Sequence, residues 1–347
     1  MKKLVSIFFF LICFVWVNAQ SSKVLFIGNS YTSVNNLPDL VSQIYTTAGE
    51  TFDHTMSAPG GCTFQQHCSA SLPYIQQGDW DYVVLQEQSQ LPSFPIGQFM
   101  QESYPYAQEL CSLIRQYNPD AKIVFYMTWG RKNGDSQNGQ YYPPLNTYEG
   151  MDSLLYCRYM MMAEDNEACV SPVGAAWHYI RDHHPEVELY QSDGSHPSYF
   201  GSYTAACCFY TTFTGRNPLD ISWNGTLDAS LADIAKNAVK RVVYDSLSKW
   251  CFEADTLQND STPVVTNSVD SIYLYPNPVS TILHIHIPAD LCSGSLRIMG
   301  ENGIAYQQVG LVSDMTLDVS RFPAGYYYVV FNLGGFKRAL RSFIISR

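Results

Sequence analysis

The first half of the chain alternates short apolar runs with longer stretches of helical spacing, and this order constrains the fold more than any other feature. The runs KVLFI (23–27), YVVL (82–85) and KIVFYM (122–127) have the length of buried strands. Helical spacing covers 37–48 and 101–117. Strands and helices in this order predict a parallel sheet with right-handed crossovers. We therefore expect an α/β domain with a flavodoxin-like, three-layer parallel sheet.

Polar or aromatic residues follow each predicted strand directly. Ser30, Gln86 and Trp129 come just after the first, second and third strands. In open parallel sheets, ligands bind where loops leave the carboxyl ends of the strands. The sequence therefore predicts a site at this edge of the sheet.

Ser30 lies in Gly28-Asn29-Ser30, between a strand and a predicted helix. A serine in this turn can project from the sheet edge, and the helix N-terminus can stabilise negative charge beside it. The alternative is that Ser30 is only the N-cap of the helix, a common role for serine.

A second polar segment, Asp193-Gly194-Ser195-His196-Pro197, lies 163 residues or more after Ser30. An Asp three residues before a His can fold back and accept the proton of one imidazole nitrogen, so that the other nitrogen faces a hydroxyl. With Ser30, this pair predicts a hydrolytic triad of Ser30, His196 and Asp193. The alternative is a polar loop before the helix predicted over 203–213.

These blocks resemble the SGNH (GDSL-like) hydrolase superfamily over about residues 23–220. Gly28-Asn29-Ser30 matches its first block and Asp193 to His196 its last. The resemblance implies Ser30 as nucleophile. It also implies an oxyanion hole that includes the N–H of Ser30 and that of a glycine, for which Gly60-Gly61 is the matching place, with Gly61 preferred.

The third block departs from the superfamily, whose GxND asparagine donates to the oxyanion. The second strand here runs into Gln86-Glu87-Gln88-Ser89. A glutamine amide can donate as asparagine does, so either Gln86 or Gln88 could serve. We assign Gln86 to the oxyanion hole, and Gln88 and Trp129 to substrate contact. The segments VVLQEQS, VGAAW and DGSHPSYFGSYTAA resemble a branch of the superfamily found in Bacteroidetes-type genomes.

Both ends of the chain differ from its middle. Residues 1–19 have two lysines, an apolar run and a small-residue cleavage pattern, which predicts a secretory signal peptide. The apolar run is short for a membrane span. A hydrolase domain is expected over 20–252. Residues 253–270 are polar and rich in Ser, Thr, Asp and Asn, which is typical of a linker.

The tail, residues 271–347, reads as short strands separated by turns, so we expect a small all-β sandwich. YPNP at 275–278, AGYYYV at 324–329 and a basic end resemble the type A sorting domain of the type IX (Por) secretion system. This resemblance implies secretion or display at the cell surface and the secretion machinery as a partner. The alternative is an accessory β-sandwich with a carbohydrate-binding role.

Net charge limits the class of binding partner, and the cysteine count limits the possible disulfides. The net charge is −11, and removal of the two leader lysines makes it −13, which argues against nucleic acid as a partner. Of ten cysteines, Cys13 would leave with the leader, and the odd number that remains means that at least one is unpaired or bonded to another chain. Cys62/Cys68 and Cys157/Cys169 are close enough in sequence to pair. No metal-ligand spacing is present, so we expect neither metal nor cofactor.

The combined expectation is a secreted serine esterase that removes short acyl groups, most plausibly O-acetyl, from carbohydrates. The expectation of a carbohydrate substrate rests on the predicted export and on analogy with the superfamily. Two alternatives stay open. One is a non-catalytic glycan-binding protein on the same scaffold, suggested by the altered third block. The other is a lipase or thioesterase, which would need a long apolar acyl channel.

Overall fold

The structure, a computed structural model, describes residues 21–252, 272–288, 294–300, 305–310, 313–333 and 338–347. The predicted signal peptide (1–19) and linker (253–270) lie outside the described residues.

Residues 21–252 are built on a five-stranded sheet with the order β2-β1-β3-β4-β5, in which every neighbouring pair is parallel. This confirms the predicted flavodoxin-like sheet. Two of the strands, β2 and β5, were not predicted. The strands are β1 (Ser21–Ile27), β2 (Thr51–Ser57), β3 (Tyr82–Leu85), β4 (Lys122–Tyr126) and β5 (Cys169–Ser171).

Eleven helices connect and flank the strands in this part of the chain. None of the helices in the described residues is both long and apolar enough to cross a membrane. The helices are α1 (Ser30–Ser33), α2 (Leu37–Thr47), α3 (Phe64–Ala70), α4 (Leu72–Ile75), α5 (Ile96–Glu102), α6 (Tyr104–Tyr117), α7 (Ser136–Gly139), α8 (Tyr148–Asp165), α9 (Val173–His183), α10 (Tyr199–Thr214) and α11 (Ala229–Val242).

Helices cover both faces of the sheet, and two neighbouring residues of β4 show this directly. Successive side chains of a strand point to opposite faces. The ring of Phe125 contacts Phe64 of α3 at 6.3 Å between centroids, whereas Tyr126 contacts Phe209 of α10 at 4.9 Å. Both β4 residues are fully buried. The sheet is therefore the middle of three layers.

The order of the strands brings the carboxyl ends of β1 and β3 together. Ile27 at the end of β1 is in register with Ser57 of β2 on one side and with Leu85 of β3 on the other. From β1 the chain crosses to β2 on one side, and from β2 it crosses back to β3 on the other side of β1. The gap between the carboxyl ends of β1 and β3 is therefore the topological switch point, where ligands bind in such folds. Ser30 begins α1 on one side of this point, and Gln86 begins the loop after β3 on the other.

A disulfide joins Cys169 of β5 to Cys251, across 82 residues of sequence. Neither pairing suggested by sequence proximity is formed, because Cys169 is bonded to Cys251 instead of Cys157, and Cys62 and Cys68 are both free. Cys169 and Cys251 form an antiparallel bridge that places the last described residues of this region against the edge strand. Nearness in sequence was therefore the wrong guide to the pairing.

The tail contains two antiparallel sheets, which agrees with the predicted small all-β region. One has the order β10-β7-β6 and the other β12-β11-β8-β9. A second apolar core, which includes Leu283, Val329 and Phe343, lies among these strands. The strands are β6 (Tyr273–Tyr275), β7 (Ile282–His286), β8 (Gly294–Gly300), β9 (Ala305–Gly310), β10 (Met315–Asp318), β11 (Gly325–Leu333) and β12 (Arg338–Ile345).

Candidate active site

Ser30, His196 and Asp193 meet at the carboxyl end of β1, although 163 residues or more separate the serine from the other two. Ser30 Oγ lies 2.9 Å from His196 Nε2. His196 Nδ1 lies 2.5 Å from Asp193 Oδ2. A carboxylate only accepts, so Nδ1 carries the proton it donates to Asp193, and Nε2 is left to accept from Ser30. This is the arrangement of a nucleophile, a general base and the acid that orients the base.

The loop that carries the acid and base is held by Asp193 itself. Its Oδ1 accepts the backbone N–H groups of Ser195 at 2.9 Å and His196 at 3.0 Å. Burial alone would raise the pKa of Asp193, but the hydrogen bonds from His196 and these two N–H groups outweigh it and lower the pKa. Asp193 is therefore ionised at neutral pH, and its negative charge would favour a protonated imidazole on His196.

Asn29, the residue before Ser30, is the N-cap of α1. Its Oδ1 accepts from the N–H of Tyr31, and its Nδ2 donates to the carbonyls of Cys62 at 3.1 Å and Glu87 at 3.3 Å. The alternative reading of Ser30 as the N-cap is therefore wrong. The cap is one residue earlier, and the Ser30 hydroxyl is free to face His196.

Gln86 does not have an amide hydrogen to offer to a substrate, which corrects its assignment to the oxyanion hole. The side chain is fully buried. Its Nε2 donates to Asn29 Oδ1 at 3.0 Å and to the Glu87 carbonyl, and its Oε1 accepts from the N–H of Asn29. Both amide hydrogens are thus committed. Gln86 instead fixes the residue that precedes the nucleophile.

Gln88 is half-buried and only partly committed. Its Oε1 accepts from the N–H groups of Gln90 at 2.7 Å and Leu91 at 3.1 Å, and its Nε2 donates to Gln90 Oε1 at 3.1 Å. An amide nitrogen carries two hydrogens. One hydrogen of Gln88 therefore remains for a ligand, unlike those of Gln86.

Two backbone N–H groups near the nucleophile are also uncommitted. Neither the N–H of Ser30 nor that of Gly61 has an acceptor among the residues that the structure describes. Gly61 is exposed and has a φ of +69°, a conformation that favours glycine. The Asn29 bond to the Cys62 carbonyl ties this turn to the Ser30 loop.

Trp129 is fully buried, so the prediction that it contacts substrate is wrong. Its indole stacks on Trp177 at 3.7 Å between ring centroids and on Tyr31 at 4.8 Å. Its Nε1 donates to the carbonyl of Ser195 at 3.1 Å. Trp129 therefore supports the acid–base loop from beneath, and position after a strand end was not enough to place its ring at the surface.

Glu87 is a buried acid for which the sequence predicted no role. Its Oε1 accepts from the N–H groups of Phe64 at 2.9 Å and Gln88 at 2.7 Å, and its Oε2 accepts from Ser103 Oγ at 2.7 Å. Burial raises its pKa to about 7, against the opposing effect of these bonds. The signal for it in the sequence was a charged residue two positions after the end of a buried strand.

His67 is also buried and holds the nucleophile loop. Its Nε2 lies 2.7 Å from the Gly28 carbonyl and its Nδ1 lies 2.7 Å from Ser71 Oγ. Since a carbonyl only accepts, Nε2 is the donor. Burial lowers the pKa of His67, and burial raises that of the neighbouring Cys68 thiol to about 12. The pair is therefore not a thiol nucleophile with its base.

The triad is open to solvent. The side chains of Asp193 and His196 are 45% and 32% exposed. A groove of about 380 Å³ borders the acid side of the triad. Its lining is mostly polar: Lys132, Asn133, Glu188, Tyr190, Gln191, Ser192, Asp193 and Gly194.

Comparison with known proteins agrees with this architecture. Residues 273–346 match the secretion system C-terminal sorting domain family. This match assigns the tail to export by the type IX system, either to the cell surface or into the medium. Among curated proteins, none matches the chain.

Solved structures resemble the first region. A DUF4886 family protein from Bacteroides uniformis has a TM-score of 0.54 at 19% identity, covering 66% of this chain and 95% of its own. A lipase/acylhydrolase from Enterococcus faecalis has a TM-score of 0.41 at 15% identity, with 56% and 96% covered. An acetylxylan esterase from Geobacillus stearothermophilus has 0.40 at 17%, with 56% and 94% covered. At these identities the likeness concerns the fold, and only the first carries that argument.

Proposed function

We propose that this chain, which joins an SGNH hydrolase-like fold to a secretion sorting domain, is an exported serine esterase. The observation that carries the proposal is the continuous hydrogen-bonded line from Ser30 Oγ through His196 to Asp193, with distances of 2.9 and 2.5 Å. An imidazole that accepts from a serine and is oriented by a carboxylate is the arrangement that activates a serine nucleophile.

The proposed reaction is acyl transfer in two steps. Ser30 Oγ attacks the ester carbonyl carbon while His196 Nε2 takes the hydroxyl proton. The tetrahedral intermediate collapses, the alcohol leaves with the proton from His196, and an acyl group remains on Ser30. Water then attacks the acyl carbon, and His196 takes its proton. The carboxylic acid leaves as His196 returns a proton to Ser30.

Three donors would stabilise the oxyanion: the N–H groups of Ser30 and Gly61 and the remaining amide hydrogen of Gln88. The first two have no acceptor within the described part of the chain. Gln88 replaces Gln86 in this role because both amide hydrogens of Gln86 are used inside the protein. Donors that are fixed before the reaction stabilise developing charge most strongly.

The surroundings of the triad favour a small acyl group on a hydrophilic alcohol, such as an O-acetylated carbohydrate. The groove beside Asp193 has charged and amide side chains, suited to hydroxyl-rich groups. The exposure of Asp193 and His196 leaves room for a bulky alcohol part. Export to the cell exterior places the site where such polymers are found.

A non-catalytic glycan-binding protein is the second candidate. One observation favours it: the amide that directly follows β3, on Gln86, is turned away from the site and cannot donate to a bound oxyanion. On this reading the groove would bind carbohydrate without cleaving it.

The test compares wild type with Ser30→Ala, both as residues 20–347, on para-nitrophenyl acetate, the corresponding octanoate and palmitate, and acetylated xylan. We expect wild type to hydrolyse the acetate esters best, and the variant to be inactive with an unchanged melting temperature. Preference for palmitate would indicate a lipase instead. No hydrolysis by wild type, with retention on insoluble xylan, would indicate the binding protein.

A further inference from the structure

Tyr31, the residue after the proposed nucleophile, has a hydroxyl inside the protein that meets the acid–base loop. The residue is 2% exposed. Its hydroxyl lies 2.6 Å from Ser195 Oγ, and Ser195 lies between Asp193 and His196 in the chain. A second bond, Tyr31 to Ser195, therefore runs beside the bond from Ser30 to His196.

Ser195 is also held from its main chain. The indole Nε1 of Trp129 donates to its carbonyl at 3.1 Å. The rings of Trp129 and Tyr31 are stacked with only 4° between their planes, and Trp177 lies on the other side of Trp129 at 12°. Both tryptophans are fully buried. The partners of Ser195 thus belong to one buried stack of aromatic rings.

The stack reaches the general base as well. The ring of Tyr31 lies edge-on to the imidazole of His196, with 5.5 Å between centroids and 73° between planes. Ser89, the last residue of the altered third block, also interacts with the Tyr31 hydroxyl. One phenol therefore contacts the loops that carry the nucleophile, the third block and the acid–base pair.

Packing alone does not require the hydroxyl. A phenylalanine ring would fill the same place against Trp129, and a buried hydroxyl costs stability unless it is hydrogen-bonded. The exposure of Asp193 and His196 makes the requirement clearer, because an open loop needs an anchor to keep one geometry.

We infer that Tyr31 is a positioning residue: its bond to Ser195 anchors the 193–196 loop so that His196 Nε2 faces Ser30 Oγ. This inference rests on the proposed esterase function for its kinetic consequence. It concerns loop position, however, and so it has a readout that does not depend on catalysis.

The kinetic experiment uses full chains with Tyr31→Phe, Ser195→Ala and both changes, assayed on para-nitrophenyl acetate. Displacement of a catalytic group by about 1 Å can cost about 100-fold in rate, so we expect kcat to fall by about 10- to 100-fold with KM unchanged. The double variant should lose no more than the worse single variant, because each single change already removes the same Tyr31–Ser195 hydrogen bond. An unchanged kcat for Tyr31→Phe, or losses that multiply, would overturn the inference.

The matched control is Tyr82→Phe. Tyr82 is the first residue of β3, at the amino ends of the strands, whereas the triad lies at their carboxyl ends. Its hydroxyl donates to the Phe213 carbonyl at 2.7 Å. This variant removes a tyrosine hydroxyl bond far from the triad. It should leave kcat unchanged, and an equal loss of kcat in this variant would make the effect of Tyr31→Phe one of general stability.

Hydrogen exchange measured by mass spectrometry on the same proteins separates this inference from the function. The amides of Ser195 and His196 donate to Asp193. A peptide that covers 191–199 should exchange faster in Tyr31→Phe and Ser195→Ala than in wild type or Tyr82→Phe. Unchanged exchange contradicts the inference. Absence of any esterase activity in wild type contradicts only the proposed function.

Discussion

Among single residues, Asp193, the acid of the proposed triad, is also the most exposed of the three. Asp193 accepts three hydrogen bonds. One comes from the imidazole of His196, and the other two come from the backbone N–H groups of Ser195 and His196. Asn at this position could still accept, but its amide nitrogen could instead donate to Nδ1 and leave the base in the wrong tautomer.

We therefore expect Asp193→Asn to lower kcat by about 10²- to 10⁴-fold with little change in melting temperature, since the side chain is 45% exposed. Steady-state kinetics on para-nitrophenyl acetate test this. Asp182→Asn, which changes an exposed carboxylate on α9, is the control. Full activity in Asp193→Asn would remove the acid from the proposed mechanism.

Of the two glutamines of the third block, Gln88 is the one that should affect catalysis as a hydrogen-bond donor. Gln88→Glu keeps the oxygen that accepts from Gln90 and Leu91 but removes the amide donor. We expect kcat to fall by about 10²- to 10³-fold, as for the loss of one oxyanion donor, and Gln88→Ala to behave alike. Gln137→Glu, at an exposed site on α7, should have no effect. Wild-type kcat in Gln88→Glu would show that two backbone donors suffice.

Glu87 should make stability depend on pH. Its pKa is raised by burial from 4.5 to about 7, so the folded protein keeps a proton that the unfolded chain loses. Stability from this group is greatest below about pH 4.5 and is lost as pH rises to about 7, by about 3 kcal/mol in all.

Gln at position 87 can accept from Phe64 and Gln88 and donate to Ser103, so Glu87→Gln should fold. We expect it to match wild type at low pH and to be more stable at pH 8. Urea unfolding across the pH range measures the difference, with the exposed Glu102→Gln as control. A difference that does not vary with pH would mean that the pKa of Glu87 is the same in the folded protein and in the unfolded chain.

At the level of strands and helices, the sequence predicted those elements whose pattern is strongly apolar. β3 and most of β1 and β4 were found because their burial on both faces leaves a continuous apolar run. β2 was missed because it is an edge strand of mixed polarity, TFDHTMS, and β5 because it has three residues. The helix predicted over 101–117 is two helices that meet at Ser103, whose hydroxyl bonds Glu87.

The disulfide between β5 and Cys251 is the covalent brace of the edge strand. It closes a loop of 82 residues. A cross-link over a loop of that length stabilises a protein by about 2–5 kcal/mol, chiefly through the unfolded state. We expect Cys169→Ala with Cys251→Ala to lower the free energy of unfolding by this amount, measured in denaturant without reductant. Cys111→Ala, which changes a free buried cysteine, shows the cost of lost packing alone.

For the whole molecule, the triad and its supports all lie within residues 28–196, and the tail has its own apolar core. We therefore propose residues 20–252 as a catalytic domain, with the tail as a separate sorting domain. Tyr328 of β11 is an exception to this separation, because it packs with the first core and lies 5.2 Å from Arg158.

A chain of residues 20–252 should retain the kcat and KM of residues 20–347, with a modestly lower melting temperature because Arg158 loses this contact. Parallel assays on one ester, with thermal unfolding of both proteins, test this. Loss of activity well below the melting temperature would show that the tail contributes to the site.

The candidate triad could be predicted as a geometric arrangement, because hydrolytic chemistry demands particular residue types and Ser30, Asp193 and His196 supply them. Its supports could not, because Tyr31, Trp129 and Gln86 act through contacts that exist only after folding. Gln86 and Trp129 follow strands as substrate-binding residues do, and only burial shows that they face inward.

The position of the disulfide also bears on the timing of maturation. Cys251 is made 82 residues after Cys169, at the end of the proposed catalytic domain. Disulfides persist in oxidising compartments and are rare in the cytosol, so this one is expected to close only outside the cytosol and after the domain is complete. Before that moment the chain lacks its covalent brace. The protein would thus gain its full resistance to unfolding only after it has left the cytosol.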